Sequence, residues 1–223
     1  MPLRIAIVAE GPTDVAVVEN VISGLTTAAD NMFSYVRPPS VTGSYTPDEI
    51  SNWSQVMAYC KSSEFRDLAQ SDFVDLIVVQ IDTDQFDSKW FDLPTHEDGV
   101  EITAARKHEL ARGILISWIG PDIFAGARAN VVFAICVDSI ECWLLPLFFD
   151  SRPAIRSRTK NCLSALKRHE EARQLTKTYN EYKDLSSLYV KTSVLRKCAV
   201  MNFSLGKFAI EFDSQPRLRR DSL

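Results

Sequence analysis

The sequence lacks any apolar run of the roughly 18 residues that a membrane-spanning helix needs. Its longest apolar stretches, residues 131–137 and 140–149, are separated by Asp138 and interrupted by Glu141 and Pro146. The first residues precede a short apolar run and lack the small-residue cleavage site of a secretory signal. We therefore expect a soluble protein that resides in the cytoplasm.

Residues that hold zinc are scarce and poorly spaced. The chain has five cysteines and three histidines, and none of them forms a C-x-x-C or H-E-x-x-H motif. A zinc site is therefore not expected. We expect the cysteines to be free thiols in a reducing compartment. The cysteines are Cys60, Cys136, Cys142, Cys162 and Cys198.

Two catalytic motifs are also absent from the sequence. It contains no G-x-x-x-x-G-K-[ST] phosphate loop, so hydrolysis of ATP by this chain alone is not expected. It contains no G-x-S-x-G elbow, and Ser139 has no evident histidine partner for nucleophilic catalysis.

Charge is distributed unevenly along a chain of ordinary globular composition, 46% hydrophobic and 24% charged. Residues 1–150 carry 22 acidic and 9 basic side chains, whereas residues 151–223 carry 7 acidic and 16 basic ones. One interpretation is an acidic, metal-collecting domain followed by a basic, phosphate-facing extension. The alternative is that the two parts attract each other, or that the charges lie on solvated helix faces.

Short apolar runs alternate with helical patterns in residues 1–150, which predicts an α/β, Rossmann-like domain with a mainly parallel sheet. The predicted strands are residues 3–9, 33–36, 76–81 and 130–137. Helices are predicted from Pro12, after a cap at residues 46–49, over residues 102–119, and from a Ser139 cap to Pro146. Residues 85–99 are predicted to form a loop, and residues 151–223 a basic helical extension with helices over 159–175, 180–200 and 204–212.

Acidic residues follow three of the predicted strands. Glu10 follows the first strand, with Asp14 one helical turn beyond it, and Asp82 and Asp84 follow the central strand. Asp138 and Glu141 follow a later one. The carboxyl ends of parallel strands share one edge of a sheet, so these carboxylates should converge there. Converging carboxylates repel unless a cation lies between them, and Mg²⁺ or Mn²⁺, as one or two ions, suits oxygen ligands.

Each acid also has a purely structural interpretation. Glu10 and Asp14 suit the positive end of a helix dipole, and Glu141 suits the first turn of its own helix. Asp82 and Asp84 suit the start of a loop. Their common position at one edge of the sheet favours a shared site.

Three segments resemble the TOPRIM superfamily of topoisomerases, bacterial primases and OLD-family nucleases. They are Glu10-Gly11-Pro12-Thr13-Asp14, Asp82-Thr83-Asp84, and Ser139-Ile140-Glu141-Cys142-Trp143-Leu144-Leu145. The last is similar to the E-A-W-L-L motif of small stand-alone bacterial TOPRIM-like proteins, a group associated with phage defence. Asp14 stands where the related motif has glutamate, and Cys142 where it has alanine; neither difference removes a carboxylate.

The resemblance implies a divalent-metal-dependent nuclease, acting on DNA or RNA as the effector of an anti-phage defence system. Its implied metal ligands are Glu10, Asp14, Asp82, Asp84 and Glu141, of which Glu10, Asp82, Asp84 and Glu141 would also be catalytic.

Basic residues of the extension are the candidate contacts to a nucleic-acid backbone. They are Arg156, Arg158, Lys160, Lys167, Lys183 and Lys191. Lys183 and Lys191 are further predicted to point toward the acidic site, where they could neutralise developing phosphate charge.

A second hypothesis is a catalytically silent sensor or subunit that works beside an ATPase carried by another chain. A primase-like nucleotidyl transferase is disfavoured because no accessory zinc-binding or polymerase segment is recognisable. Self-association is compatible with either of the first two hypotheses.

Overall fold

The computed structural model describes residues 2–26, 31–40, 52–86 and 93–215. Its centre is a four-stranded parallel sheet in the order β2-β1-β3-β6, and a small antiparallel β4–β5 hairpin lies apart from it. The α/β prediction is therefore confirmed. The strands are β1 (Arg4–Val8), β2 (Met32–Arg37), β3 (Leu76–Asp82), β4 (His96–Glu97), β5 (Val100–Glu101) and β6 (Asn130–Cys136).

Helices follow most of the strands and make up nearly all of the regular structure after residue 150. Up to that point they are α1 (Pro12–Leu25), α2 (Trp53–Cys60), α3 (Ser63–Gln70), α4 (Ala104–Ile119), α5 (Pro121–Gly126) and α6 (Glu141–Phe148). After it they are α7 (Pro153–Arg156), α8 (Cys162–Leu166), α9 (Tyr179–Leu185), α10 (Thr192–Met201) and α11 (Phe203–Asp213), with 3₁₀ turns at Glu170–Ala172 and Ser187–Val190. In the described part of the chain, every helix is too short or too polar to cross a lipid bilayer.

The sheet is buried on both faces, as the continuous apolar runs of its strands indicate. Successive strand residues point to opposite faces. Ile5 and Ile7 of β1 therefore join the core formed with α1, α6 and the extension, while Ala6 and Val8 join the core formed with α2, α3 and α4. The three layers leave the carboxyl ends of the strands together at one edge.

The extension shares its core with the sheet. Tyr182, Tyr189, Leu195 and Phe208 are buried in the same apolar cluster as β1 and α1. Gly24 of α1 allows the closest approach, because a Cβ at that position would lie 1.9 Å from the backbone oxygen of Tyr189. The extension thus packs against α1 and shares its core.

The two long helices predicted in the extension are wrong; each is broken into shorter pieces. Asn161, within the first predicted helix, has a positive φ angle of 53°, which an α-helix does not accommodate, and α8 begins only after it. Lys177, which lies between the two predicted helices, also has a positive φ angle, of 61°. A capping box between Thr178 and Glu181 then starts α9 afresh. Past α9, the Ser186 hydroxyl donates to the Tyr182 carbonyl, and the 3₁₀ turn begins at the next residue.

The predicted end of α6 at Pro146 is also wrong, because the helix continues to Phe148. Proline has no N–H to donate to the carbonyl four residues earlier, which belongs to Cys142. The side-chain amide of Asn202 donates to that carbonyl instead, at 2.9 Å, and so replaces the lost hydrogen bond. At the other end of α6 no side chain caps the helix, contrary to the role predicted for Ser139.

Two predicted segments fall wholly or partly outside the described residues. The predicted cap at residues 46–49 lies outside them, and the described N-cap of α2 is Asn52, whose side chain accepts from the Ser54 and Gln55 amides. Of the loop predicted over residues 85–99, residues 87–92 lie outside. The remainder holds β4 and the Asp98–Gly99 turn, both of whose residues have positive φ.

Candidate functional site

The acidic residues singled out in the sequence line one cavity of about 390 Å³ at the carboxyl edge of the sheet. We call it the acidic cavity. Glu10 follows β1, Asp82 ends β3 and Glu141 begins α6, so the parallel strands bring together residues up to 131 positions apart. The acids in its wall are Glu10, Asp14, Asp82, Asp84, Asp138 and Glu141.

Gln80 connects three of these acidic positions and is a residue that the sequence analysis missed. Its amide nitrogen donates to Asp14 Oδ1 at 3.2 Å and to Asp82 Oδ1 at 2.8 Å, and its amide oxygen accepts from the Glu10 N–H at 3.1 Å. Glu10 Oε1 in turn accepts from the Asp82 N–H at 2.7 Å. The signal was available: Gln80 is the one polar residue inside the apolar β3 run, two positions before Asp82 and hence on the same face.

Burial and mutual repulsion raise the pKa of most of these carboxyl groups. Burial, followed by the charge of Asp14, raises the pKa of Glu10 to about 8. Burial and then the charge of Glu141 raise the pKa of Asp14 to about 7, and similar causes raise that of Asp82 well above its usual range. Near neutral pH a large fraction of these carboxyl groups is therefore protonated, and a bound cation would replace the protons.

Glu141 differs from the other acids because it has cationic and hydroxyl partners. Burial acts to raise its pKa, but hydrogen bonds from Ser139 and Tyr182 and the charge of Lys177 outweigh burial and lower it. Tyr182 Oη donates to Glu141 Oε1 at 2.6 Å, and Lys177 Nζ lies 3.0 Å from the same oxygen. Lys177 lines the acidic cavity; the sequence analysis missed it because it lies between predicted helices.

Thr83 joins the ends of β3 and β6 beside the acidic cavity. Its N–H donates to the Cys136 and Asp138 carbonyls at 3.1 and 2.9 Å, and its hydroxyl accepts from the Asp138 N–H at 2.8 Å. These bonds hold Asp138 at a φ of 74°, a conformation that costs a non-glycine residue about 1 kcal/mol or more. The Asp138 and Asp84 carboxyl groups both have raised pKa values, chiefly through burial.

The donor chemistry of the acidic cavity fits a hard divalent cation, since its charged ligands are carboxylate oxygens. Gln80 donates to both Asp14 and Asp82, so a cation held by these two carboxylates would replace the Gln80 hydrogen bonds. Among the described residues, the one group of three carboxylate, thiol or imidazole ligand atoms within 4.8 Å of one another is Asp138, Cys142 and Cys162.

Three of the basic residues predicted to bind nucleic acid are engaged in ion pairs. Lys183 Nζ lies 2.6 Å from Glu19 Oε2 and does not line the acidic cavity, contrary to prediction; Lys177 is the lysine that does. Lys191 does not line it either. Arg156 pairs with Asp150, and Lys160 with Glu101. Of the six predicted contacts, the three that form no ion pair with a carboxylate of the described residues are Arg158, Lys167 and Lys191.

The prediction of five free thiols is wrong for two cysteines. Cys142 and Cys162 form a disulfide, which connects α6 to α8 beside the acidic cavity. Sequence spacing could not show this, because the 20 residues between them return the chain to the same place only in the folded protein. The cysteines that remain free are buried: Cys60, Cys136 and Cys198.

Comparison of the chain with protein-family models, curated proteins and solved structures finds no match in any of the three.

Proposed function

We propose that the protein is a divalent-metal-dependent phosphodiesterase, a nuclease that cleaves DNA or RNA with Mg²⁺ or Mn²⁺ at the acidic cavity. The observation that carries the proposal is the convergence of Glu10, Asp14, Asp82 and Glu141 on one open cavity. The order of the acidic motifs resembles that of TOPRIM nucleases, which agrees with this reaction. An effector role in phage defence follows from the same resemblance.

The electrostatics of the acidic cavity support a cation there. The raised pKa values of three neighbouring carboxyl groups show that ionising them is unfavourable in the fold. A divalent ion would make their ionised form favourable. A bound ion would act as a Lewis acid toward phosphate oxygens. Glu10 and Asp82, from adjacent strand ends, would hold the ion, and Asp14 and Glu141 would complete the ligand set or orient water.

Lys177 supplies the positive charge that a phosphate needs. Its side chain is half exposed at the cavity wall, so the ammonium group can exchange Glu141 for a phosphate oxygen without leaving the cavity. Arg158 and Lys167 are candidates to contact the backbone of a longer substrate outside the cavity, in contacts that weaken with salt.

The proposal is tested by incubating the protein with plasmid, single-stranded DNA and transfer RNA in Mg²⁺ or Mn²⁺. We expect cleavage of at least one substrate, abolished by a chelator and reduced about 100-fold or more in Glu10→Gln and Asp82→Asn. Asp122→Asn, at an exposed acid on α5, is the matched control and should cleave normally. Absence of cleavage, or equal cleavage by Glu10→Gln, contradicts the proposal.

One observation favours a second candidate, the catalytically silent subunit of a complex with an ATPase. Gln80 and Lys177 already provide hydrogen-bond or charge partners for Asp14, Asp82 and Glu141, so each of these three carboxylates has a partner without metal. This candidate predicts that Mn²⁺ neither binds nor supports cleavage, and that the chain copurifies with an ATPase from its native host.

A further inference from the structure

The Cys142–Cys162 disulfide lies in the wall of the acidic cavity. Cys142 directly follows Glu141 on α6, and Cys162 is the first residue of α8. Cys162 and Asp138 both line the cavity. Both cysteines are almost fully buried.

Asp138 directs its carboxylate at this cysteine pair. Its Oδ2 lies 3.7 Å from Cys142 Sγ and accepts from the Cys162 N–H at 3.3 Å. Thr83 holds the Asp138 backbone in its left-handed conformation.

We infer that Asp138, Cys142 and Cys162 form a second cation site, for a thiophilic divalent ion such as Zn²⁺, that is available only when the disulfide is reduced. Two thiolates and one carboxylate are a softer donor set than the acidic cavity offers, so the two sites select different metals. Three protein ligands would leave a fourth position of a tetrahedral ion for water or another ligand.

The exchange between the two forms is chemically balanced. A dithiol supplies two electrons and two protons, breaks the Sγ–Sγ bond and is itself oxidised to a disulfide. The cation then displaces the two thiol protons. In the reverse direction a hydroperoxide takes two electrons from the thiolates and two protons from solvent, giving an alcohol and water, and the cation leaves as the disulfide forms.

Cobalt(II) provides a direct test, because thiolate ligation gives it an intense near-ultraviolet charge-transfer band that oxygen ligands do not give. The full chain is reduced with a phosphine under argon and titrated with Co²⁺ and then with Zn²⁺. We expect the band in the reduced protein, its loss on adding Zn²⁺, and its absence in the oxidised protein. The oxidised protein, once unfolded, should show three reactive thiols and the reduced protein five.

Variants separate this site from the acidic cavity and from the other thiols. Cys162→Ser should lose the band, and Asp138→Asn should bind Co²⁺ about tenfold more weakly or worse. Cys198→Ser and Glu10→Gln should keep it, and excess Mg²⁺ should not displace it. A reduced protein without the band, or a band that survives in Cys162→Ser, overturns the inference. If Cys162→Ser does not fold, Asp138→Asn and the oxidised wild-type protein decide the question.

Discussion

Helix α1 carries two buried carboxyl groups with opposite surroundings. Glu19 is 2% exposed and has three donors: the Tyr35 and Tyr179 hydroxyls and Lys183 Nζ. Asp14, five residues earlier, is 6% exposed, and burial, followed by the charges of neighbouring acids, raises its pKa to about 7.

The difference separates a structural carboxylate from a functional one. Glu19 is neutralised and hydrogen-bonded by β2 and the extension, so it joins α1 to both and needs nothing further. Asp14 belongs to a group of acids that lacks enough positive charge within the chain, which is the arrangement expected where a ligand supplies it. A buried carboxylate therefore does not by itself indicate a functional site. A group of buried carboxylates without enough positive charge nearby does.

Removing the structural carboxylate should have the largest effect on stability. Glu19→Ala leaves Lys183 and two tyrosine hydroxyls without their acceptor, and we expect the free energy of unfolding to fall by about 3 kcal/mol. Urea unfolding measures this change. Glu109→Ala, at an exposed acid of α4, should change stability by less than about 0.5 kcal/mol. Equal decreases in the free energy of unfolding of the two variants would contradict a structural role for Glu19.

Removing a carboxylate from the acidic cavity should have the opposite sign. Without metal, Glu10→Gln should raise the free energy of unfolding at pH 8.5 by about 2 kcal/mol or more, because glutamine resembles the protonated acid. The folded pKa of about 8 exceeds the ordinary value of 4.5, so the folded state holds the proton more tightly. The protonated Glu10 side chain therefore contributes its full stability to the fold below pH 4.5, and this contribution is lost as the pH rises through 8.

The pH dependence of urea unfolding provides the measurement. In a metal-free buffer the wild-type protein and Glu10→Gln should differ little near pH 4.5 and diverge steadily up to pH 8.5, with the variant the more stable. Saturating Mn²⁺ should narrow the gap, since the ion favours the charged carboxylate. If the free energies of unfolding of the two proteins change in parallel with pH, the pKa of Glu10 is not raised in the folded state.

The two lysines provide the smallest and most selective comparison. Lys183→Met should lower stability by about 1 kcal/mol, a modest loss because the lysine is one-third exposed, and leave cleavage unchanged. Lys177→Met should change stability by less than about 0.5 kcal/mol but slow cleavage about 100-fold. Urea unfolding and cleavage rates are measured for both variants. If Lys183→Met slows cleavage and Lys177→Met does not, the wrong lysine is assigned to the acidic cavity.

Much of the fold was predictable from local patterns. The strands were found because buried parallel strands are continuous apolar runs, and the convergence of Glu10 and Asp82 followed from the geometry of a parallel sheet. Pro146 misled the prediction because the Asn202 amide, 56 residues away, replaces the missing hydrogen bond.

The parts that were missed depend on contacts between distant segments. Lys183 and Lys177 are side chains of the same type six residues apart, and only tertiary packing decides that the first reaches Glu19 and the second Glu141. The Cys142–Cys162 disulfide and the role of Gln80 have the same origin, since each requires segments whose separation in sequence carries no pairing signal.

Titration of the oxidised, metal-free protein with Mn²⁺, followed by electron paramagnetic resonance, tests the central claim most directly. Oxidation closes the cysteine site, so any bound ion must lie elsewhere. The account predicts binding of one or two Mn²⁺ ions, weakened about tenfold or more in Glu10→Gln and Asp82→Asn but unchanged in Asp122→Asn. Free Mn²⁺ signal that falls equally with all four proteins, or with none, would contradict a metal site at the acidic cavity.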